Sequence, residues 1–339
     1  MRQAVMTQPG VIELRDVAPP SPGPGQVLMR VQRIGVCGSD VHVYHGDHPF
    51  TPYPVVQGHE FSALVEAVGE GVAGLAPGQK VTATPQETCG VCRACRRGDY
   101  HICDGLKVRG FQAPGVAQDL AVTEADKIVP LPETFTFEQG AFVEPVAVSV
   151  HATGRAGDLK GRNVVVLGTG PIGNFVSQAC RCRGAAKVLV TDLSDFRLDL
   201  ALQCGAQAVS RADTEPLTDA ARRAFGNEGF DVAFECAGSE KAVAGAIEAI
   251  DKGGTVLVLG VFGQRPRIDM ASVCEHELRL VGSLMYRRPD YVQAVEWIAA
   301  GQVRTEPLDS RHFPLEEYLE AYRFIDSSGP ESMKVFIDL

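Results

Sequence analysis

The chain has 339 residues, 22% of them charged and 45% hydrophobic, with a formal net charge of −10. That length predicts two domains with substantial cores. The acidic balance leaves no basic stripe for nucleic acid or an anionic membrane surface, no apolar run approaches membrane-span length, and residues 1–10 lack a secretory signal; a small-molecule substrate and a cytoplasmic address are expected.

The first 150 residues are β-rich and turn-rich. Short strands are predicted at residues 26–34, 61–68 and 80–83, broken by turn signals at residues 22–25 and at Pro77-Gly78. Cys37, Ser39 and His42 offer a thiolate, a hydroxyl and an imidazole within six positions. His59-Glu60 adds an imidazole beside a carboxylate, and a further carboxylate stands at Glu144. A mixed set of this kind suits a catalytic zinc, because it leaves room for water or substrate. Taken singly, each residue has a plainer reading: Cys37 as buried packing, His59 as a satisfied core imidazole, Glu144 as a helix-capping charge, His42 as a partly exposed structural histidine.

Between these segments, Cys89, Cys92, Cys95 and Cys103 follow the spacing CxxCxxCx7C in a Gly- and Arg-rich stretch too short for a hydrophobic core. Four thiolates held this close would complete a tetrahedral metal site, for which Zn²⁺ is the economical occupant. An iron–sulfur cluster is the sharper rival, but the seven-residue final gap and Asp104 after the last cysteine depart from the ferredoxin run. The other scattered cysteines, Cys180, Cys182, Cys204, Cys236 and Cys274, read as small buried hydrophobes in a reducing compartment.

After residues 159–161 the texture changes. The apolar run at residues 163–167 leads into a Gly-rich turn, a helical stretch to about Arg183 and a second apolar run at residues 187–191, which is a βαβ unit. Further apolar runs at residues 230–235, 255–259 and 278–281 alternate with helices such as residues 241–250, the pattern of a parallel sheet covered on both faces. In the turn, Gly168, Gly170, Pro171, Ile172 and Gly173 spell GxGxxG between strand and helix, the context in which backbone N–H groups at a helix N-terminus receive a pyrophosphate. Asp192 ends the second strand, where a carboxylate bonds the adenosine ribose hydroxyls and repels a 2′-phosphate. This favours NAD over NADP. Arg197 is placed to stack on adenine or to pair with a phosphate. From about Tyr286 the chain reads as helices and short strands ending at residues 334–338, a tail expected to pack back on the first domain.

GVCGSDVH, GHE, the cysteine lobe, Glu144-Pro145 and GTGPIG, in this order, resemble the zinc-dependent medium-chain dehydrogenases, and among them the polyol (sorbitol-type) and sugar-acid branch. The resemblance runs from about Arg2 to Leu339. It implies an α/β protein: a doubly wound Rossmann domain at residues 151–286 that binds NAD, and a β-rich, GroES-like catalytic domain at residues 1–150 completed by residues 287–339. It implies two zinc ions per chain, one catalytic on Cys37, His59 and Glu60, with Glu144 a ligand or joined through water, and one structural on Cys89, Cys92, Cys95 and Cys103. Ile172, Asp192, Arg197, Leu259, Gly260, Val261, Ser283, Leu284 and Met285 fall where relatives contact NAD. Ser39 and His42 are candidates for the proton relay, with Glu144 and a water as the rival route.

Two departures bear on substrate. Alcohol dehydrogenases of the family place a second thiolate where Glu144 stands, and oxygen in place of sulfur makes a harder, more easily rearranged site. Met285 falls where sorbitol-type enzymes usually carry an Arg. The expected reaction is oxidation of a secondary hydroxyl on a polyol or sugar acid, with Arg287 and Arg288 either pairing with a carboxylate or forming solvated surface. Oxidation of L-threonine is the nearest alternative, and a non-catalytic nucleotide-binding protein the alternative from another class. A homodimer or homotetramer is implied.

Overall fold

The computed structural model describes residues 1–339. It divides into two compact units: Met1–Glu144 with Arg287–Ala299 and Asp309–Leu339, and Pro145–Tyr286 with Ala300–Leu308. The first division falls inside the helix Phe137–Arg155, between Glu144 and Pro145. No helix is long and apolar enough to cross a membrane.

The first unit is built on a seven-stranded sheet. Its order is Asp309–Pro314, Lys334–Asp338, Gln26–Gly35, Glu60–Val68, Lys80–Ala83 and Ile128–Pro130, with Leu120–Glu124 also pairing with Gln26–Gly35. The C-terminal strand thus enters the sheet of the first unit, antiparallel to Gln26–Gly35, with Phe336 opposite Gly35. Met29, Val31, Ile34, Phe61, Val65, Val335 and Ile337 supply its core, together with Tyr318 and Tyr322 from the end of the chain. One register matters for the chemistry: Gly35 pairs with Glu60. A Cβ on Gly35 would stand 2.5 Å from Glu60 Oε2, so only glycine lets the carboxylate pass over this strand.

The second unit holds six parallel strands in the order Ala208–Arg211, Lys187–Asp192, Asn163–Leu167, Val232–Glu235, Thr255–Val258 and Arg279–Gly282. Side chains alternate between its faces. Val164, Val166, Val188, Val190, Phe234 and Leu257 share one buried cluster, while Val165, Leu167, Leu189, Ala233 and Val256 share another. Both faces of the four central strands, Lys187–Asp192, Asn163–Leu167, Val232–Glu235 and Thr255–Val258, are covered, which is why they read as apolar runs. The reversal of strand order between Lys187–Asp192 and Val232–Glu235, on either side of Asn163–Leu167, opens a crevice at the strands' carboxyl ends, the place such sheets offer a ligand. The chain is an α/β protein with a Rossmann-type parallel sheet and a β-rich companion.

Candidate active site

In the first unit the strand Gln26–Gly35 runs into the helix Gly38–His45, with Cys37 as its N-cap. Asp40 turns back to accept a hydrogen bond from the Cys37 backbone N–H at 3.0 Å. This capping interaction fixes the turn from which the Cys37 thiol projects. Across the sheet, His59 and Glu60 enter the neighbouring strand. One ligand atom from each of Cys37, His59 and Glu60 lies within 4.8 Å of the others. His59 and Glu60 are buried, and so are the groups behind them.

Those groups were not legible as site residues in the sequence. Asp40, fully buried, places Oδ1 3.6 Å from His59 Nδ1, beyond hydrogen-bond reach but close enough for its charge to act on the ring. Gln57 donates to the Asp40 backbone carbonyl at 3.2 Å and accepts from Tyr322 Oη at 2.6 Å, tying the far C-terminal helix Tyr318–Ser328 to the same network. Lys334, buried in the last strand, donates to Glu60 Oε2 and, at 3.2 Å, to the Val36 carbonyl. Burial works against the Lys334 charge, yet Glu60, then Cys37 and Glu144, hold its pKa above the usual lysine range. Burial, and then Glu60, pushes the Cys37 thiol up. Burial opposes a charge on His59, but Asp40 and Cys37 outweigh it and raise its pKa well above the ordinary histidine value.

Thiol, imidazole and carboxylate therefore converge, with one buried ammonium to balance them. A divalent cation fits this donor set: it would stabilise the thiolate and carboxylate together and replace the proton on His59. Glu144 stands outside the trio yet close enough for its charge to act on Lys334. Ser39 and His42 lie on the helix that Cys37 opens, three residues apart and so on one face; Ser39 is half-buried and His42 exposed.

The four cysteines of the lobe also come together, with their sulfurs within 4.8 Å and Cys103 Sγ 3.5 Å from Cys89 Sγ. Backbone N–H groups of Cys89, Cys92, Cys95 and Gly105 point at sulfur over 3.3–3.4 Å. The N–H groups of Cys95 and Asp104 draw the Cys92 thiol down to about 6, whereas desolvation and its neighbour Cys92 push Cys95 up to about 12. One thiolate forms readily and the next does not, a conflict that a Zn²⁺ ion bound by all four would remove.

In the second unit Gly168 takes φ 86°, and a Cβ on Gly173 would lie 1.8 Å from the Gly168 carbonyl oxygen, so the turn and the strand-to-helix contact both require glycine. The helix Pro171–Cys182 starts at Gly170 with no side-chain cap, leaving its first N–H groups to a ligand. Beside it is a cavity of about 690 Å³ lined by Gly168, Gly170, Asp192, Arg197, Cys236 and Ala237 among others. Asp192 is fixed at its rim: Oδ2 accepts from the Thr169 N–H at 2.7 Å, and Oδ1 from Leu193 and Ser194 at 2.8 and 3.0 Å. Pro171, Ile172 and Gly173 form the first helical turn. Ile172 packs with Leu259 on the sheet's core, whereas Val261 and Leu284 are exposed. Gly260 lies against Gly238 and Glu235, Ser283 donates its N–H to the Val258 carbonyl at 3.1 Å, and Met285 has φ 48°.

Glu235 is a further residue the sequence did not mark. Buried at the end of a central strand, its carboxylate accepts from the Ala237 and Ser239 N–H groups at 3.0 and 3.2 Å and so shapes the loop lining the cavity. Arg288 is committed elsewhere: its guanidinium donates to the Asp126 and Ile128 carbonyls at 2.8 Å, and its N–H bonds Tyr100 Oη at 2.6 Å. Arg287 faces Asp99 of the cysteine lobe at 4.0 Å. These contacts withdraw the support the two arginines lent to a substrate carboxylate.

An alcohol dehydrogenase GroES-like domain matches residues 23–133, and a zinc-binding dehydrogenase domain matches residues 171–300. The chain is 34% identical to 2-dehydro-3-deoxy-L-galactonate 5-dehydrogenase of Pseudoalteromonas atlantica, over 97% of this chain and 95% of that one. It is 33% identical to L-threonine 3-dehydrogenase of Legionella pneumophila (strain Corby), over 98% and 97%. A protein from Sinorhizobium meliloti, solved bound to NADP, superposes with a TM-score of 0.92 at 30% identity, covering 100% of this chain and 99% of that one. The chain belongs to the zinc-dependent medium-chain dehydrogenases and is an oxidoreductase of alcohol groups.

Proposed function

We propose that this enzyme oxidises a secondary hydroxyl of a polyol or sugar acid with NAD as hydride acceptor, using one catalytic and one structural zinc. The observation that carries this reading is the convergence of a half-buried Cys37 with the buried His59 and Glu60, in which a carboxylate, not a second thiolate, accompanies sulfur and imidazole. When bound there, Zn²⁺ supplies Lewis acidity that lowers the pKa of a nearby hydroxyl, and NAD supplies the hydride acceptor. Cys37, His59 and Glu60 hold the ion. The Asp40 charge acts on His59, and Lys334 steadies Glu60 and compensates its charge. Ser39, half-buried, and His42, exposed, carry the released proton outward along one face of their helix; Glu144 with a water is the alternative route.

Gly168, Gly170, Pro171, Ile172 and Gly173 receive the pyrophosphate, and Asp192 receives the adenosine ribose, which supports NAD. The S. meliloti protein bound to NADP makes the coenzyme a point to measure. Arg197 borders the same cavity, and Leu259, Gly260, Val261, Ser283, Leu284 and Met285 are the proposed nicotinamide-side contacts. For the substrate, similarity to a sugar-acid dehydrogenase supports the first reading, and similarity to L-threonine 3-dehydrogenase supports a second, oxidation of an amino-acid side-chain hydroxyl. The subunits are proposed to form a homodimer or homotetramer.

The test is NAD⁺ and NADP⁺ reduction across hexitols, pentitols, aldonates and L-threonine, with and without chelator. Turnover of polyols or aldonates with NAD⁺, lost on metal removal, is expected. Threonine alone as substrate favours the second reading, and turnover that survives thorough metal removal overturns the mechanism.

A further inference from the structure

The turn Ala125–Lys127, the edge of the cysteine lobe and the start of the helix Arg288–Ala299 border a second cavity of about 510 Å³, lined by Thr84, Thr88, Tyr100, Asp126, Lys127 and Arg288 among others. These residues all belong to the first unit, and none has a part in the metal or coenzyme sites described above. Donors here outnumber the acceptors that the fold supplies. Lys127 is half-buried, yet its ammonium makes no hydrogen bond or ion pair. Arg288 gives Nη1 to the Asp126 and Ile128 carbonyls at 2.8 Å, which leaves Nε and Nη2, the other side of the guanidinium, without an acceptor. Tyr100 Oη accepts the Arg288 N–H at 2.6 Å and keeps its own hydrogen to donate. Thr84 and Thr88 add hydroxyls.

The charges are also poorly matched. Asp126 is the one acid on the lining; it is exposed and forms no ion pair with Lys127 or Arg288. Arg109 is a third cation close by, its Nε buried and without a hydrogen bond and Glu87 no nearer than 3.7 Å, while Glu124 is engaged by Gln26 at 2.9 Å. Burial, and then the Arg109 charge, lowers the Lys127 pKa, although Glu87, Asp126 and Glu124 oppose this. An anion in the cavity would supply the compensation that these carboxylates do not.

We propose that this cavity binds a phosphoryl group, with Lys127 and the unspent side of the Arg288 guanidinium holding its charge and the Tyr100, Thr84 and Thr88 hydroxyls donating to its oxygens. A dianion with three terminal oxygens matches two cations and several hydroxyl donors better than a carboxylate with two oxygens does. Its occupant would join the cysteine lobe, through Tyr100, to the helix Arg288–Ala299 and the turn Ala125–Lys127. Binding therefore stabilises the fold without entering the reaction.

The test is calorimetric titration of the purified enzyme with inorganic phosphate, glycerol 3-phosphate and acetate at constant ionic strength, in saturating NAD⁺ or NADP⁺, whichever it binds, so that the coenzyme cavity is filled. Both phosphates should bind more tightly than acetate and raise the melting temperature; the tighter of the two tells an ester site from a site for free phosphate. Lys127→Gln is expected to raise the Kd of the tighter phosphate about tenfold, the loss of one hydrogen bond to a charged group, and Lys127→Arg should recover part of it. Without phosphate, kcat and KM of Lys127→Gln on the best substrate found should stay within about twofold of the parent. In the parent itself, bound phosphate should protect Lys127 from acylation by acetic anhydride, read by mass spectrometry, which judges the site even where a variant folds poorly. No phosphate binding by the parent, an unchanged Kd in Lys127→Gln or no protection of Lys127 overturns the site. Acetate binding as tightly as the phosphates overturns the phosphoryl assignment. The binding and protection readouts hold whichever alcohol the enzyme oxidises, so they stand apart from the polyol reading.

Discussion

Lys334 shows how much of this site depends on single residues far apart in the chain. Its ammonium is the only cation bonded to Glu60, and the side chains of the pair are 3% and 2% exposed. Removing one member of a pair this deeply buried leaves the other charge without compensation, at a cost of about 3–5 kcal/mol. Lys334→Met is therefore expected to lower stability by that order in urea denaturation and to reduce the zinc content of the purified protein. Normal stability with full metal loading would show that Glu60 needs no counter-charge. Gly35 belongs to the same arrangement from the other side, since its missing Cβ leaves the space through which the Glu60 carboxylate reaches the lysine.

Among the elements, the cysteine lobe and the sheet have different tasks. The lobe contains only the short helix Arg93–Arg96 and the turn Tyr100–Ile102, too little buried apolar surface to hold itself together without cross-links. It anchors the helix Arg288–Ala299 through Tyr100 Oη and the Arg288 N–H. Cys92→Ser should accordingly damage folding or assembly before it damages chemistry, read as a lower melting temperature and less soluble protein with kcat per active site nearly unchanged. Normal folding with abolished turnover would assign the lobe a direct catalytic role.

Elements whose signal is local were legible in the sequence. The central Rossmann strands appear as apolar runs because both faces are buried, and Lys80–Ala83 is delimited by its turn signal. The strand Ala208–Arg211 was not legible, because it is short and its last two residues are polar. In the candidate active site, Cys37, His59 and Glu60 carry recognisable donor chemistry, but Asp40, Gln57 and Lys334 act only through contacts that the folded sheet creates. Glu60 and Lys334 are 274 positions apart. Glu235 escaped for a related reason: in the sequence it is one polar residue closing an apolar run, and only the loop that folds back over it reveals its task.

At the scale of the whole molecule, the two edges of the parallel sheet are not equivalent. At one edge Arg211 is held between Asp195 and Asp213, at 2.9 and 2.7 Å, so ion pairs blunt the strand Ala208–Arg211. At the other edge Arg279–Gly282 pairs only with Thr255–Val258, and Leu280 is 39% exposed while Val281 is half-buried. Arg155 takes the Gly282 carbonyl at 2.8 Å, but the preceding residues present an open apolar edge. Such an edge is a pairing template that monomeric proteins normally protect. A second copy related by a twofold axis would cover it with the same strand, joining two six-stranded sheets through an isologous contact. The proposed oligomer is expected to use this edge. Leu280→Lys would place like charges opposite each other across the axis, so sedimentation should shift from a dimer or tetramer toward a smaller species, with the melting temperature dependent on protein concentration. A monomeric parent would remove the need for any partner at this edge, and an assembly unaffected by Leu280→Lys would place the interface on another surface of the molecule.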